Sequence, residues 1–533
     1  MQSLVHHALE RSAARCPGKT ALIMEEVPTS YAKLNAEANR IAHGLLQAGV
    51  TKGDRVAFLG NNSREFLATH YGAAKIGAVF TPLNSLSPVP ELRLLMEDAR
   101  PRGLIVGRSH VEHAAELKDH VRELALCLAC GSEVFHGSVS YDRYLAKQAE
   151  SNPEIPVAAG DDCVMLYTGS TTGQPKAVVS THAARVAMAV ESALEYQIAH
   201  DDVGIHATPF FHYGTLHLGI HTKLMMGCTI VSHERFAAER YLEAIDRHGI
   251  TYLSGVPTLF SRVLSHPDTS RYDFRSVRKA LYGASAMPDA VQERGLEIWP
   301  GIEFYQGYGS TEAGQVTVLR PADHATRKRR RTGVPMLMVD IKVVDENMHG
   351  VPTGVVGELL VRSRQLFRCY HNKPELSSQV LVNGWYCTRD AAWMDEDGYM
   401  TIAGRIDDMI LTGGENVFPR EVEEILLQHP AVADTAVFGV PDPEWVNAVC
   451  AAIVVRPGES ASPEALTELC RSQLASYKKP KHIIFAAEIP KTAIGKPDRK
   501  ALATLFMGSR QRAGVQALGG APDLRINRAI TSG

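Results

Sequence analysis

The sequence predicts an α/β protein with a large N-terminal domain of layered sheets, a β-rich subdomain and a small α+β C-terminal domain. The chain of 533 residues exceeds what one hydrophobic core usually supports, so more than one domain is expected. Short apolar runs alternate with amphipathic helical patterns over residues 55–260, which is typical of a parallel sheet covered by helices. A separate helix and strand pattern follows residue 407.

The first βαβ unit is predicted from three consecutive segments. "RVAFLG" at 55–60 indicates a buried strand, "REFLATHYGAAKIG" at 64–77 an amphipathic helix, and "AVFTPLN" at 78–84 the next strand. Similar apolar runs return at 101–107, 162–169, 229–236 and 250–260. Consecutive strands joined by a helix run parallel, and the repeated alternation predicts α/β layers over about the first three hundred residues.

The later part of the chain changes character twice. Residues 338–363 alternate valine-rich runs with Gly and Pro turns, which favours a β-rich subdomain. Residues 420–490 read as helix, strand, strand, helix and strand, a compact α+β unit. We therefore expect an N-terminal domain over 1–406, a C-terminal domain over 407–505 and a flexible tail over 506–533, which is rich in Gly, Ala and Arg.

Composition favours small-molecule chemistry. The formal net charge of −3 gives no global attraction to nucleic acid or to an anionic membrane. No apolar run approaches the ~20 residues of a membrane span, and charges and histidines interrupt residues 1–21 where a secretory signal needs an apolar core. Nine cysteines favour reduced thiols, and the lone pair Cys127 and Cys130 is expected to pack in a core. These features predict a cytoplasmic enzyme.

The stretch "YTGSTTGQPKA" at 167–177 is a candidate phosphate loop. Its glycines let backbone N–H groups approach an anion, its hydroxyls add donors and Lys176 adds a positive charge. It is not a Walker A loop, because Gln174 and Pro175 precede the lysine and Ala177 stands where that motif has Ser or Thr. Taken alone, it could also be a solvated turn between a strand and a helix.

Four further motifs follow this loop: "GYGSTEAG" at 307–314, "GWYCTRD" at 384–390, "GRIDDMILTGGENVFPREVE" at 404–423 and "PKTAIGKPDRK" at 490–500. In this order the five motifs resemble the acyl-adenylate-forming superfamily of acyl-CoA synthetases, peptide-synthetase adenylation domains and luciferases. The C-terminal motifs are most similar to aryl-CoA ligases of the halobenzoate type. The resemblance reaches about Leu505 and implies a mobile C-terminal domain that swings about a hinge.

The resemblance implies a role for each matching residue. ATP, Mg²⁺ and coenzyme A are the implied cofactors, and a small carboxylic acid is the implied substrate. The implied catalytic residues are Lys496, Lys176 and His212. The implied ATP or AMP contacts are Thr168, Ser170, Thr171, Thr172, Gly173, Gly283, Ala284, Ser285, Gly307, Tyr308, Gly309, Thr311, Asp390 and Arg405. Glu312 is the implied metal ligand, Asp407 the hinge, and Gly413, Gly414 and Trp445 the CoA contacts.

The chain departs from the family pattern at several positions. Gly169-Ser170 stands where Ser-Gly is usual, and Ala177, Arg389 and Val446 each replace a glycine. Pro497 after the implied catalytic lysine is also unusual and stiffens the backbone there. None of these departures removes an ionisable group, so an active enzyme is expected.

The acid pocket is predicted to include Phe211, His212, Tyr213 and Val256. These largely aromatic and aliphatic walls favour an aryl or medium-length apolar acid. His217 and His221 stand one helical turn apart, and pocket lining is favoured over a metal pair since no third ligand is evident. The basic run at 327–331 could be a nucleic-acid or nuclear-targeting patch or could attract the phosphates of CoA, but a solvated basic turn is favoured because the chain is nearly neutral.

Three functions are compatible with the sequence. The leading prediction is an ATP-dependent carboxylic acid:CoA ligase that forms an acyl-adenylate and then a thioester. The alternatives are a stand-alone adenylating enzyme that loads a carrier protein and a nucleotide-binding protein without catalysis. Glu312, Asp390, Arg405 and Lys496 speak against the last. Association into a homodimer is left open.

Overall fold

The structure, a computed structural model, describes residues 3–121, 123–168, 176–491 and 497–513. Its α-helices are α1 Val5–Arg15, α2 Tyr31–Gln47, α3 Arg64–Lys75, α4 Val89–Ala99, α5 Val111–Leu117, α6 Tyr141–Leu145, α7 His182–Glu195, α8 Thr222–Met226, α9 Ala238–His248, α10 Pro257–Leu264, α11 Asp289–Ile298, α12 Pro321–His324, α13 Pro374–Val380, α14 Pro419–Leu426, α15 Pro463–Gln473 and α16 Arg499–Ala513. A π-helix spans Gly214–His221. Short 3₁₀ helices span Arg108–His110, Lys118–His120, Thr269–Arg271, Arg327–Arg330, Ile406–Asp408 and Ser476–Lys478.

The strands of the first half of the chain are β1 Thr20–Met24, β2 Val27–Ser30, β3 Arg55–Leu59, β4 Val79–Pro82, β5 Gly103–Val106, β6 Leu126–Ala129, β7 Val139–Ser140, β8 Asp162–Thr168, β9 Lys176–Thr181, β10 Val203–His206, β11 Thr229–Ser232 and β12 Tyr252–Gly255. The remaining strands are β13 Lys279–Gly283, β14 Glu303–Ser310, β15 Gly314–Leu319, β16 Val334–Pro335, β17 Val339–Val344, β18 Gly357–Ser363, β19 Cys369–Tyr370, β20 Leu381–Val382, β21 Trp385–Met394, β22 Met400–Arg405, β23 Ile410–Thr412, β24 Glu415–Val417, β25 Val432–Asp442, β26 Val446–Val455 and β27 His482–Phe485.

Two large sheets carry the N-terminal region. One has the strand order β16-β15-β14-β13-β12-β10-β11-β1-β2 and the other β19-β9-β8-β4-β3-β5-β6-β7. The predicted βαβ unit is present, since β3 and β4 pair in parallel and α3 connects them. Helices and sheets enclose an apolar core in which Phe58, Phe66 and Phe80 pack edge to face. The α/β class predicted from the alternating runs is confirmed.

The later strands form smaller sheets. The β-rich section has the order β17-β18-β21-β20, with β22 paired to β21. The C-terminal sheet has the order β25-β26-β27, and α14 and α15 pack on it through Val422, Leu426, Leu466 and Cys470. These elements match the predicted order of helices and strands after residue 407.

The contacts divide the chain into two compact units. The first unit comprises Met1–Ile341, Leu360–Cys387 and Asp397–Met400, and the second comprises Lys342–Leu359, Thr388–Glu396 and Thr401–Gly533. The domain boundary at residue 407 stays a prediction. The start of the tail needs correction, because α16 runs to Ala513. Leu502 and Phe506 of this helix are buried against the C-terminal sheet, and that packing extends the helix past residue 506.

In the described part of the chain, no helix is both long and apolar enough to cross a membrane. Cys127 and Cys130 are buried, and burial raises the pKa of the Cys127 thiol to about 12. Both thiols are therefore packed as core side chains, as the sequence predicts.

Candidate active site

Four neighbouring parallel strands organise the predicted site of the first unit. Strands β14, β13, β12 and β10 lie side by side, and each adjacent pair is parallel. The carboxyl ends of parallel strands meet at one edge of a sheet, where α/β proteins commonly bind ligands. Predicted site residues follow or end each of these strands: 211–213 after β10, Val256 after β12, 283–285 at the end of β13 and 307–312 at the end of β14.

The predicted adenine wall depends on a close approach of two strands. Gly283 of β13 pairs in register with Gly307 of β14. A Cβ atom added at Gly283 would lie 2.7 Å from the carbonyl oxygen of Gly307, so a side chain does not fit there. Ala284 follows with φ of 67°, which turns the chain sharply after the strand. Ala284 and Ser285 are exposed, and the nearby Tyr308 is half-buried.

The described edges of the candidate phosphate loop are Thr168 and Lys176. These residues end β8 and begin β9, and they pair in register in an antiparallel ladder. The ladder therefore fixes both ends of the loop that joins the two strands. Ser170, Thr171, Thr172 and Gly173 lie outside the described residues, as does Lys496.

Lys176 and Glu312 flank one aromatic side chain, Tyr370. The ammonium of Lys176 lies 5.6 Å from the centre of the Tyr370 ring. The Tyr370 hydroxyl donates a hydrogen bond of 3.0 Å to Glu312 Oε1. The backbone N–H of Phe367 also donates to the Glu312 carbonyl oxygen at 2.8 Å, which fixes the turn that carries Thr311 and Glu312. Tyr370 was missed by the sequence analysis because it belongs to none of the five motifs.

The predicted acid-pocket residues differ in exposure. Tyr213 is buried, Phe211 and Val256 are half-buried, and His212 is exposed. The protein surrounding His212 lowers the pKa of its imidazole to about 4 by limiting hydration of the charged form, although the ring is still accessible to solvent. His212 is therefore a neutral imidazole at physiological pH.

His217 and His221 lie on the π-helix and are fully buried. Their ring centres are 6.3 Å apart, and His70 of α3 lies 5.7 Å from His217. Burial lowers the pKa of all three imidazoles, to about 3 for His221. Among the described residues, the cluster suited to hold a metal ion is His6, His7 and Glu10, and it includes neither His217 nor His221.

In the second unit, Asp390 and Arg405 are brought together. Arg405 Nη1 donates a hydrogen bond of 3.1 Å to Asp390 Oδ1, and the Asp390 side chain is largely buried. Asp390 lies on β21 and Arg405 ends β22, and these strands pair in one sheet. The sheet thus places an anion and a cation side by side, where the anion could accept hydrogen bonds from ribose hydroxyls.

Arg389 connects the strand of Asp390 to the predicted hinge. Its Nη2 lies 2.8 Å from Asp407 Oδ1, and its backbone N–H donates to Glu358 Oε1 at 3.0 Å. Its φ of 61° lies in the left-handed region, which accounts for the glycine usual at this position in the family. Arg389 lacks the backbone freedom of glycine, and its side chain instead forms an ion pair with Asp407.

The Gly413-Gly414 turn joins β23 to β24, and Trp445 covers it. Gly413 N–H donates to the Trp445 carbonyl oxygen at 2.8 Å. A Cβ atom at Gly413 would lie 2.5 Å from the indole ring, so glycine is needed for this contact. Trp445 remains 39% exposed, which leaves part of its indole face accessible to a ligand.

The basic run at 327–331 is engaged in local ion pairs. Arg329 and Arg330 lie 3.3 and 3.1 Å from Asp289, and Lys328 pairs with Asp397. These acidic partners offset part of the positive charge, so the long-range attraction of the run for phosphates is weaker than its sequence suggests.

Comparison with known proteins identifies the family. The model of the AMP-binding enzyme matches residues 9–371, and the model of the AMP-binding enzyme C-terminal domain matches residues 421–496. The chain belongs to the AMP-binding enzyme family. Its large N-terminal region and smaller C-terminal region match the architecture of solved structures of this family.

The relatives of this AMP-binding enzyme include several ligases. It is 34% identical to a feruloyl-CoA synthase from Amycolatopsis sp, over 91% of this chain and 96% of the relative. It is 33% identical to an indoleacetate–CoA ligase from Aromatoleum aromaticum, over 92% and 95%. It is also 34% identical to the fatty acid–[acyl-carrier-protein] ligase ScoC from Streptomyces coeruleorubidus, over 93% and 95%.

Solved structures agree with these relatives. The anthranilate CoA ligase AuaEII in complex with anthranoyl-AMP superimposes with a TM-score of 0.87 at 28% identity, over 95% of this chain and 98% of that one. The amide bond synthetase McbA from Marinactinospora thermotolerans gives 0.85 at 30% identity, over 94% and 100%. Family, fold and relatives together identify this AMP-binding enzyme as an acyl-CoA synthetase.

Proposed function

We propose that this acyl-CoA synthetase activates an aryl carboxylic acid with ATP and transfers the acyl group to free coenzyme A. The observation that carries the proposal is the alignment of the predicted acid and nucleotide residues at the carboxyl ends of β10, β12, β13 and β14. The names of the feruloyl and indoleacetate relatives, both acting on aromatic acids, support the choice of substrate class.

The first step is a displacement at phosphorus. A carboxylate oxygen of the acid bonds to the α-phosphorus of ATP, and the bond from that phosphorus to the bridging β-phosphate oxygen breaks, which releases pyrophosphate. Two anions must approach, so the site has to neutralise charge and align the reacting oxygens. We assign pyrophosphate binding to Lys176, Thr168 and the 170–173 segment, and neutralisation at the α-phosphate to Lys496.

The second step is a displacement at the acyl carbon. The sulfur of CoA bonds to this carbon, the carbon–oxygen bond to AMP breaks, and the thiol proton passes to solvent. We assign ribose binding to Asp390, with Arg405 beside it, and adenine stacking to Tyr308 with residues 283–285 as the opposite wall. Thr311 would contact a phosphate. His212, a neutral imidazole on the predicted acid pocket, would donate or accept a hydrogen bond at the acid carboxylate.

Mg²⁺ fits the chemistry of Glu312. The Glu312 side chain is half-buried, and its carboxylate is a hard oxygen donor held in place by Tyr370. When bound, the ion would neutralise phosphate charge and thereby assist departure of pyrophosphate. Tyr370 would fix the orientation of the ligand carboxylate.

Free CoA as the acceptor is proposed from the turn at Gly413-Gly414 and the exposed face of Trp445. An indole at this position can stack on the adenine of CoA, which a carrier-bound pantetheine arm lacks. The carrier-loading alternative is kept because ScoC, a carrier-protein ligase by name, is as similar as the CoA ligases. None of the nine cysteines, all of which lie in the described part of the chain, forms a disulfide, which suits a location in the reducing cytoplasm.

Product analysis tests this function. Purified enzyme, ATP and MgCl₂ are incubated with aromatic acids and with either CoA, pantetheine or phosphopantetheinylated acyl carrier protein. We expect pyrophosphate release and a CoA thioester, with CoA preferred to pantetheine. Trp445→Ala should raise the KM for CoA and leave the adenylation step unchanged. A carrier protein that works far better than CoA would replace this function with carrier loading.

A further inference from the structure

Arg185 is a buried cation that the five motifs do not include. It lies on α7, and its side chain is fully buried. Its Nη2 donates a hydrogen bond of 2.5 Å to the carbonyl oxygen of Gln365. Its Nε and Nη1 are buried without a hydrogen-bond partner among the described residues. Burying two guanidinium donors without acceptors destabilises the folded state. The site therefore lacks acceptors for these two N–H groups.

Among the described residues, Arg185 forms no ion pair with a carboxylate. Glu191, the buried carboxylate on the same helix, accepts hydrogen bonds instead from the Met338 backbone N–H at 2.6 Å and from the Gln365 amide. The internal segments 169–175 and 492–496, outside the described residues, contain neither Asp nor Glu. Within the part of the chain that the structure describes, the positive charge of Arg185 therefore has no carboxylate partner.

Two neutral imidazoles lie near Arg185. His217 and His221 lie in the field of its charge, and burial together with that charge keeps both imidazoles neutral. Both nitrogens of His217 and Nε2 of His221 are also buried without a hydrogen-bond partner among the residues described. The guanidinium could thus bind an anion, and an N–H group of a neutral imidazole could donate to a lone pair of that anion that the guanidinium does not reach.

Arg185 lies directly against the predicted acid pocket. Its guanidinium carbon is 5.1 Å from the centre of the Tyr213 ring, and Tyr213 follows β10 on the pocket side. The Tyr213 ring is also 5.9 Å from that of His217. Tyr213 therefore stands at the junction between the predicted pocket and the polar cluster of Arg185, His217 and His221.

We propose that Arg185 binds a second carboxylate of the acid substrate, at the end remote from the carboxyl group that reacts with ATP. The substrate class is then an aromatic dicarboxylic acid: the ring packs against the aromatic wall at Phe211 and Tyr213, and the distal carboxylate pairs with the guanidinium. This inference rests on the proposed function and departs from the wholly apolar acid that the sequence predicts. Sequence pattern alone does not indicate this role, because a single arginine in a helix usually lies at the surface.

Matched acids provide the test. ATP–pyrophosphate exchange is measured for benzoate and benzene-1,3-dicarboxylate, for phenylacetate and 4-carboxyphenylacetate, and for cinnamate and 4-carboxycinnamate. We expect kcat/KM for at least one diacid to exceed that of its monoacid partner by about 100-fold, as is typical when a buried charge gains or loses its partner. Monoacids that serve as well as their diacids in every pair would overturn the inference and leave the ligase function standing.

Substitution of Arg185 separates recognition from folding. Arg185→Met should lower kcat/KM for the preferred diacid by about 100-fold and leave that of the monoacid within a few-fold of its original value. Arg185→Lys, which keeps a charge without the planar fork, should recover part of the diacid activity. An equal loss for both acids in a variant that retains its circular dichroism spectrum would make Arg185 a structural residue. Absence of exchange with every acid would contradict the proposed function as well.

Discussion

Val446 holds a backbone conformation that valine rarely adopts. Its φ is 69°, and its side chain is 62% exposed. The left-handed region costs a residue with a Cβ atom roughly 1–2 kcal/mol, and an exposed side chain recovers little of this by burial. Val446→Gly should therefore raise the free energy of unfolding by about 1 kcal/mol, measured by urea titration with circular dichroism.

The control for this substitution is Val27→Gly. Val27 is similarly exposed at 60% and begins β2, and its φ is not positive. The same change at an extended position should lower the free energy of unfolding, by roughly 0.5–1 kcal/mol. If Val446→Gly destabilised the protein as much as Val27→Gly does, left-handed strain at Val446 would not be the reason.

His221 makes the folded protein sensitive to acid. Burial lowers its pKa to about 3, so the folded state keeps it neutral while the unfolded chain binds a proton below about pH 6.5. The unfolded state binds more protons in this window, so stability is full above pH 6.5 and falls as the pH decreases toward 3. One such histidine should lower the free energy of unfolding by about 2 kcal/mol between pH 6.5 and pH 5.

The variant His221→Gln tests this contribution. Its amide can still accept the hydrogen bond that joins His221 to the Tyr71 hydroxyl but does not titrate in this range. Denaturant titrations at pH 7 and pH 5 should show a stability loss smaller than that of the wild type by about 2 kcal/mol. His113→Gln, at an exposed histidine, is the control and should leave the difference unaltered. An unchanged pH dependence in His221→Gln would show that His221 has the same pKa in the folded and the unfolded state, which would contradict this assignment.

At the scale of elements, the 3₁₀ helix Ile406–Asp408 carries the predicted hinge. Proline at residue 407 fixes φ and limits the conformations through which the backbone could rotate. We expect Asp407→Pro to retain adenylation, measured by pyrophosphate exchange, and to lose most thioester formation from supplied acyl-adenylate. Asp407→Ala removes the ion pair with Arg389 without fixing φ, and should keep both steps. Equal loss of both steps in a folded Asp407→Pro variant would contradict the hinge assignment.

The elements themselves were largely predictable from local pattern. Apolar runs such as 55–60 and 162–169 became β3 and β8 because buried parallel strands need continuous apolar residues. Loops that follow such strands converge at one sheet edge, so the placement of 211–213 and 307–312 follows from the strand order. The flexible tail was predicted to begin at residue 506, although α16 continues to Ala513, because the Gly- and Arg-rich composition of this segment does not reveal that Phe506 packs in the core.

Contacts between residues far apart in the chain could not be predicted from the sequence. Tyr370 joins Lys176 and Glu312 across nearly 200 positions of chain, and nothing in its local sequence marks it. Arg185 reads as a surface residue until its burial is known. The left-handed backbone at Arg389 and Val446 could be anticipated only where a family glycine is replaced.

At the scale of the whole molecule, the two half-reactions should depend differently on Lys496. Removing its charge in Lys496→Ala deletes the cation where carboxylate and α-phosphate meet, which should lower the rate of adenylation by about 10³-fold. Thioester formation from supplied acyl-adenylate should fall much less. Lys491→Ala, at an exposed lysine that pairs with Asp434, is the matched control and should retain both rates. Equal losses in Lys496→Ala would assign the lysine to both steps or to the fold.

Transfer of oxygen from the acid shows whether the acid is activated as an acyl-adenylate. The wild-type enzyme is incubated with ATP, CoA and an acid whose carboxylate carries ¹⁸O at both positions, and the products are weighed by mass spectrometry. In the proposed steps the carbon–oxygen bond breaks after the oxygen has bonded to phosphorus. We therefore expect one ¹⁸O atom in each AMP and none in pyrophosphate. Unlabelled AMP, or label in inorganic phosphate beside ADP, would contradict it.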